Sequence, residues 1–412
     1  MHVDVDRLTA DLGELSAFGR TPSGGISRTS FSAADLQARQ WLVSRCGAAG
    51  LEVRSDGLGN IFARLNPAGA DPSLPAVWTG SHLDTVPEGG AYDGAVGVMS
   101  ALECLRRLAE ERVGLHRAVQ LVMFADEEGC YQHLLGSTGL TQGLSSQQLA
   151  GRRGRDGTRL VDAMTTVGLD PDAAANTAIS AEEVHAYVEL HIEQGPVLES
   201  SGVDIGVVTS IVGIGGAMVR FTGRGDHAGT TPMQARHDAL RAAAHFLVLL
   251  PGTAANVSDH AVITCGLIEV TPGASNVVPA AADLLLDFRD TSMPRLQALA
   301  DDIIQAAHAA ARQCYVTAHV RFDDIIEPVL LDAGIEHVIE QSATSFGYST
   351  LRMPSGAGHD AQNMAKISRA AMIFVPSAGG RSHVREEYTS PEDLGRGANV
   401  LLETLTRLCT DG

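Results

Sequence analysis

Paired cysteines are missing from this chain. Six cysteines occur in 412 residues, at Cys46, Cys104, Cys130, Cys265, Cys314 and Cys409, scattered without paired spacing. Such a pattern suits reduced thiols in the cytosol and excludes a disulfide-stapled scaffold. Basic residues are also short. Lys and Arg number 30 against 49 Asp and Glu, a formal net charge of −19. An acidic surface repels phosphate backbones and anionic headgroups, which argues against nucleic acid and membrane partners. No apolar run is long enough to cross a bilayer. Met1–Asp6 lacks the basic-then-apolar order of a leader, so a cytoplasmic protein is expected. Internal repeats and low-complexity segments are absent too. What is present is a 44% apolar, 19% charged composition in a chain long enough for two domains with real cores.

Strand and helix patterns alternate, which favours an α/β layered core. A helix is expected over 33–47, strands at 50–53 and 61–65, and a buried strand at 76–79. A helix follows over about 96–112, with Val98, Leu102, Leu105 and Leu108 at helical spacing. Residues 119–124 read as a strand covered on both faces. Residues 141–182 read as helices and loops, and 185–190 as another strand. The rhythm changes at 213–323. Strand 217–222, helix 234–250, strands 262–270 and 283–290, helix 294–313 and strand 315–322 make a split β-α-β-β-α-β unit. It reads as an inserted domain, with Gly213, Gly215 and Gly216 at its entry and Glu327-Pro328 at its exit, both plausible hinges. Residues 1–212 and 324–412 form the other domain. Its last elements are a helix at 333–345, a strand at 372–375 and a closing helix at 391–408.

Chemistry gathers at strand ends. His82 and Asp84 follow the 76–79 strand, and Asp93 sits where the next helix begins. A transition metal needs a neutral imidazole, a carboxylate, and a further carboxylate to orient the imidazole. His82, Asp93 and Asp84 suit these roles in that order, although His82 could instead cap a turn and Asp93 a helix. After strand 119–124 come Asp126-Glu127-Glu128-Gly129. Ligands of open α/β sheets collect at the carboxyl ends of strands. Glu128 is assigned as a ligand and Glu127 as general base, the alternative being an exposed acidic turn. His191 and His383 each follow a strand. Five ligands exceed one tetrahedral ion and fit two ions with a bridging carboxylate.

Longer motifs surround these residues: Gly80-Ser81-His82-Leu83-Asp84-Thr85-Val86-Pro87, Asp126-Glu127-Glu128-Gly129 and His191-Ile192-Glu193-Gln194-Gly195-Pro196. Others are Asp226-His227-Ala228-Gly229-Thr230-Thr231-Pro232-Met233, Ser275-Asn276-Val277-Val278-Pro279 and Ser355-Gly356-Ala357-Gly358-His359-Asp360-Ala361. From about Gly24 onward the chain resembles the dinuclear metal amidohydrolases that include N-carbamoyl-L-amino acid hydrolases, β-ureidopropionases and allantoate amidohydrolases, within a larger clan of metallo-aminoacylases and peptidases. Histidine at position 191 resembles the carbamoyl amidohydrolases, whereas related peptidases tend to carry a carboxylate there.

The resemblance implies a mixed-sheet, metallopeptidase-like catalytic domain with an inserted α+β domain serving as lid and dimer contact. It implies His82, Asp93 and His191 around one divalent ion and Asp93, Glu128 and His383 around another, with Asp93 bridging. Zn²⁺, Mn²⁺, Co²⁺ or Ni²⁺ would serve. It implies Glu127 as base, and His227, Asn276 and Arg289 as substrate contacts, with His227 reaching a partner subunit's site. Gln194, Gly358 and His359 are weaker pocket candidates, His359 being equally a helix cap. Arg289 offers a planar fork for a carboxylate, or a surface ion pair with Asp287 or Asp290. The expected reaction hydrolyses an N-carbamoyl amino acid in a homodimer. Allantoate or N-carbamoyl-β-alanine hydrolysis, aminoacylase or dipeptidase activity, and a catalytically silent binding protein are the alternatives. Two segments depart from the family pattern and bear on the pocket: Cys130 to Ser137, and Gly379 to Glu387 with Arg381 and Arg385.

Overall fold

The computed structural model describes residues 1–175 and 177–410. Its strands are β1 (Glu52–Ser55), β2 (Ile61–Leu65), β3 (Ala76–His82), β4 (Val119–Phe124), β5 (Val184–Ile192), β6 (Ile205–Ile211), β7 (Gly213–Thr222), β8 (Val262–Thr271), β9 (Ala281–Asp290), β10 (Thr317–Phe322), β11 (Val329–Leu330), β12 (Thr350–Ser355) and β13 (Arg369–Val375). Two compact units divide the chain. One comprises Met1–Thr209, Leu331–Ser355 and His359–Gly412; the other comprises Ser210–Leu330 and Gly356–Gly358.

The first unit is built on a mixed sheet in the order β1-β2-β4-β3-β5-β13-β6, with β12 also on β6. Neighbours β4, β3, β5 and β13 run parallel, so their carboxyl ends open on one edge. All seven residues of β3 and all six of β4 are buried, which is why both read as unbroken apolar runs. Gly80 lets β3 approach β4: a Cβ there would stand 1.8 Å from the Val122 carbonyl oxygen. The sheet packs into one apolar cluster with helices Val5–Leu15, Ala33–Ala48, Ala95–Glu110, Ala333–Ser345 and Pro391–Thr410. Burial of each large apolar side chain there contributes about 1.5–3 kcal/mol. The 95–110 helix starts at Gly94, whose φ of +62° suits glycine.

The second unit has the antiparallel order β10-β7-β9-β8 with helices Ala239–Val257 and Met293–Gln313. Val219, Phe221, Leu284 and Phe288 alternate inward to meet Ala242, Phe246, Leu296 and Ile303. The first of these helices starts five residues later than its sequence pattern suggests. It then continues through Pro251 to Val257. Gly213, Gly215 and Gly216 lie inside β7, paired with β9, and so are strand residues and not loose joints. Gly215 makes room for a ring, since a Cβ would sit 2.2 Å from Phe288. The chain leaves the first unit at Thr209/Ser210 and returns at Leu330/Leu331.

Candidate metal centre

The carboxyl ends of the parallel strands deliver the candidate residues. His82 closes β3, His191 lies near the end of β5, and Glu127 and Glu128 follow β4. Between β4 and the glutamates, Asp126 adopts φ +54°. Its carboxylate accepts N–H bonds from Cys130, Tyr131 and Gln132 at 2.8–3.0 Å, which shapes the following loop. His383 comes from the loop after β13 and also has positive φ, +58°. Positive φ is uncommon for residues other than glycine and is found where surrounding structure imposes it.

Three sets of donor atoms converge, each within 4.8 Å of one another: His82, Asp93 and His191; Asp93, Glu128 and His383; and Glu189, His191 and His359. The first two share Asp93. His191 Nε2 lies 3.2 Å from Asp93 Oδ1, and His383 Nε2 lies 3.1 Å from Asp93 Oδ2. His82 Nε2 stands 3.6 Å from both Asp93 and Glu127, and His383 Nε2 3.5 Å from Glu128. The Nδ1 atoms of His82 and His191 donate to the carbonyls of Asp84 (3.0 Å) and Ile192 (2.9 Å), which leaves their Nε2 atoms facing the carboxylates. Glu128 Oε1 is buried and has no hydrogen-bond partner among the described residues. Acceptor atoms aimed at one another, with a spare buried carboxylate oxygen, fit divalent cations.

Without an ion, protons do part of that work. Burial opposes charge on His82, but Glu127, Asp93 and Asp84 outweigh it and hold the imidazole well above its ordinary value. Burial would raise Asp93, yet its hydrogen bonds with His191, His383 and His82 hold it well below the usual range. Burial, against the opposing pull of His82, pushes Glu127 well up. Burial and then Asp93 raise Glu128 to about 7, and the hydrogen bond to Asp93 lifts His383 to about 9. An incoming cation must displace these protons. Affinity of the stripped protein for Zn²⁺ is therefore expected to fall by at least about tenfold per pH unit below 9, where His383 is protonated, and more steeply below 7 as Glu128 protonates. Calorimetric titrations at several pH values check this; an affinity flat from pH 6 to 9 contradicts it.

Asp84 lies beside His82, but its backbone carbonyl, not its carboxylate, receives the Nδ1 hydrogen bond. The carboxylate stands 3.8 Å from Nδ1. It accepts instead from Ser30 Oγ (2.9 Å) and from the N–H groups of Glu127 (3.3 Å) and Glu128 (3.1 Å), orienting both glutamates. Gln194 points its amide at Asp93 Oδ2, 2.7 Å away. His359 is buried, hydrogen-bonds Ser355 Oγ at 2.9 Å and packs edge-on against His191 with centroids 4.5 Å apart. Asp360, not His359, precedes the first residue of the short 361–364 helix. Gly94 is a tight fit: a Cβ would fall 2.4–2.5 Å from the His82 ring. Gly94→Ala is expected to displace that ring and weaken metal retention at least ~10-fold, the scale seen when a ligand's support is lost. Chelator competition measures it, and wild-type retention would refute it.

His227, Asn276, Arg289 and Gly358 belong to the second unit. There the loops of His227 and Asn276 are joined, Ala228 N–H donating to Asn276 O and Val278 N–H to Asp226 O. His227 Nδ1 accepts from Gly229 and Thr230 N–H, so its proton resides on Nε2. Arg289 closes its fork on Asp287 at 2.8 and 3.1 Å and donates to Gly356 O. Asp290 is engaged by Arg295 instead.

A model of the peptidase family M20/M25/M40 matches residues 78–407. The chain belongs to that family. M20 enzymes are metal-dependent hydrolases, in keeping with the donor sets described above. Over nearly its whole length the chain also resembles individual proteins. It is 37% identical to N-carbamoyl-L-amino-acid amidohydrolase of Paenarthrobacter aurescens, covering 98% of each chain. It is 35% identical to allantoate amidohydrolase of Bacillus subtilis, covering 96% of this chain and 95% of the other. An amidase of the hydantoinase/carbamoylase family from Burkholderia multivorans superposes with a TM-score of 0.91 at 30% identity, covering 100% of this chain and 99% of that one.

Two residues at the centre escaped the sequence reading. Ser382 Oγ lies 3.0 Å from Asp93 Oδ2, and the buried Glu387 touches the same loop. Both sit next to His383 in sequence, but Glu387 stands in a charged run that looks like solvated loop.

Proposed function

We propose that this chain is a metal-dependent amidohydrolase that cleaves the linear C–N bond of an N-carbamoyl-L-amino acid. With water, the products are the amino acid, carbon dioxide and ammonia. The observation that carries this reading is the pair of ligand triads sharing Asp93, with buried Glu127 3.6 Å from His82. His82, Asp93 and His191 would hold one divalent ion, and Asp93, Glu128 and His383 a second. Zn²⁺, Mn²⁺, Co²⁺ and Ni²⁺ all accept such nitrogen and oxygen donors. When bound, such ions polarise a carbonyl and make hydroxide available near neutral pH.

The chain's own groups do the rest. Glu127 takes the proton of the attacking water and returns it to the leaving nitrogen. Its burial favours the proton-bearing form, which helps it to hold that proton between the two transfers. His227, with its proton on Nε2, is a donor suited to the developing oxyanion. Arg289 exchanges Asp287 for a substrate carboxylate, and Asn276 bonds the ureido group. Gly358 neighbours that contact. The second unit would act as lid and dimer contact. Edge strand β8 supports a homodimer, since it exposes Val262, Leu267 and Ile268. Six free cysteines support a reducing, cytoplasmic setting, and no helix among the described residues is long and apolar enough to cross a membrane.

Ammonia release from a panel tests the reading: N-carbamoyl-α-amino acids, N-carbamoyl-β-alanine, allantoate and a dipeptide. The first group should react best. Faster turnover of allantoate would favour the second reading, which the Bacillus subtilis relative supports. Dipeptide cleavage without ammonia would overturn both. Arg289→Lys keeps the charge but loses the fork, so KM should rise ~10-fold with kcat little changed. His227→Ala should instead lower kcat by ~10²–10³-fold. Steady-state kinetics separates the two, and the opposite split would reverse the assignments.

A further inference from the structure

We infer that Glu387 is a positioning residue that sets the spacing of Asp93 and His383 within the second ligand triad. The inference rests on the metal-centre reading above. Asp93 and Glu387 are 294 residues apart in the chain, on the loops that follow β3 and β13. One carboxylate spans both loops. Oε1 accepts from the N–H groups of Tyr92 (2.9 Å) and Asp93 (3.0 Å). Oε2 accepts from Ser382 Oγ (2.7 Å) and His383 N–H (3.3 Å). One oxygen thus holds the backbone of the shared carboxylate and the other holds the backbone of the last imidazole. Four donors saturate the carboxylate, so it has no remaining lone pair to offer an ion.

His383 needs such support more than the other imidazoles. His82 and His191 are buried and braced through Nδ1 by backbone carbonyls. The His383 side chain is 50% exposed, its φ is positive, and no hydrogen bond to its Nδ1 occurs among the described residues. Its place therefore depends on the backbone that Glu387 holds. Gln194 extends the same clamp, its Nε2 donating to Asp93 Oδ2 at 2.7 Å and to Ser382 Oγ at 3.3 Å. Gly90 admits it: a Cβ there would lie 2.2–2.4 Å from the Glu387 side chain.

Glutamine at 387 would turn an N–H group toward donors on one of the loops, and aspartate would reach only one of them. In Glu387→Gln the weaker of two Zn²⁺ affinities should fall ~10–100-fold, the scale typical for groups that orient metal ligands. The readout is calorimetric titration of the chelator-stripped full chain with Zn²⁺, alongside its thermal unfolding. A merely structural Glu387 would lower the unfolding temperature of the stripped chain and leave both affinities unchanged. Both affinities within threefold of wild type in a folded variant would overturn the inference. If Glu387→Gln does not fold, Ser382→Ala carries the test, with an expected loss of ~10-fold in the same affinity and the same threefold limit. Wild-type protein that takes up no Zn²⁺ would remove this inference and the proposed function together. Two bound ions in wild type with an unaffected variant would remove this inference alone.

Discussion

Glu127→Gln is expected to lower turnover ~10²–10⁴-fold while the protein keeps nearly its full metal content. The substitution preserves shape and volume but removes the carboxylate proposed to take a proton from water and return it to the leaving nitrogen. Glu127 is 5% exposed and sits among His82, Glu128 and Asp84, so its environment governs its proton affinity. Its backbone N–H is held by Asp84, a contact the substitution leaves intact. It belongs to none of the donor triads, which is why metal content should survive. Turnover within threefold of wild type, about 0.6 kcal/mol in barrier, would remove Glu127 from the role of base. If His227 also serves the partner's site, co-expressing Glu127→Gln with His227→Ala chains should restore some activity, because a hybrid dimer contains one site with both native residues. A purified hybrid no better than its parents would leave His227 acting within its own chain.

Removal of metal is expected to abolish activity altogether, and readdition of a divalent ion to restore it. The reason lies in the donor sets. Three imidazoles and two carboxylates face one another across 3.1–3.6 Å, an arrangement that in the stripped protein depends on added protons. Dialysis against a chelator, with metal content measured in the same sample, provides the check. His82→Ala and His383→Ala should each weaken metal retention, since they take a ligand from different triads. Full activity in verified metal-free protein would overturn the mechanism.

Much of the placement of the candidate ligands was legible because they follow apolar strands. His82 follows Ala76-Val77-Trp78-Thr79 closely enough to be placed at a strand end by pattern alone, and Glu127-Glu128 follow an unbroken apolar run. The inserted unit was legible for the same reason: alternating burial in β7 and β9 and two amphipathic helices spell its order. Strands β6 and β12 carried no such clear signal; the Val5–Leu15 helix did, with Val5, Leu8, Leu12 and Leu15 at helical spacing after Asp4, and escaped the sequence reading all the same. The helix that continues past Pro251 is a case of tertiary packing overriding a local breaker, since Thr253 and Ala254 beyond the proline are buried.

By itself the sequence determined the layered α/β class, the inserted β-α-β-β-α-β order, and which histidines and carboxylates stand at strand ends. These are local properties, written in periodicity and in the residue types that metal chemistry requires. Only the tertiary structure decided what each polar group does for its neighbours. It turned the Asp84 carboxylate from His82 to the backbone of the two glutamates. It closed the Arg289 fork on Asp287. It set His359 against His191, and it placed Glu387 between two loops 294 residues apart. Hydrogen bonds act over about 3 Å, so their partners are chosen by how the chain folds back on itself, and residue order carries no direct record of that choice.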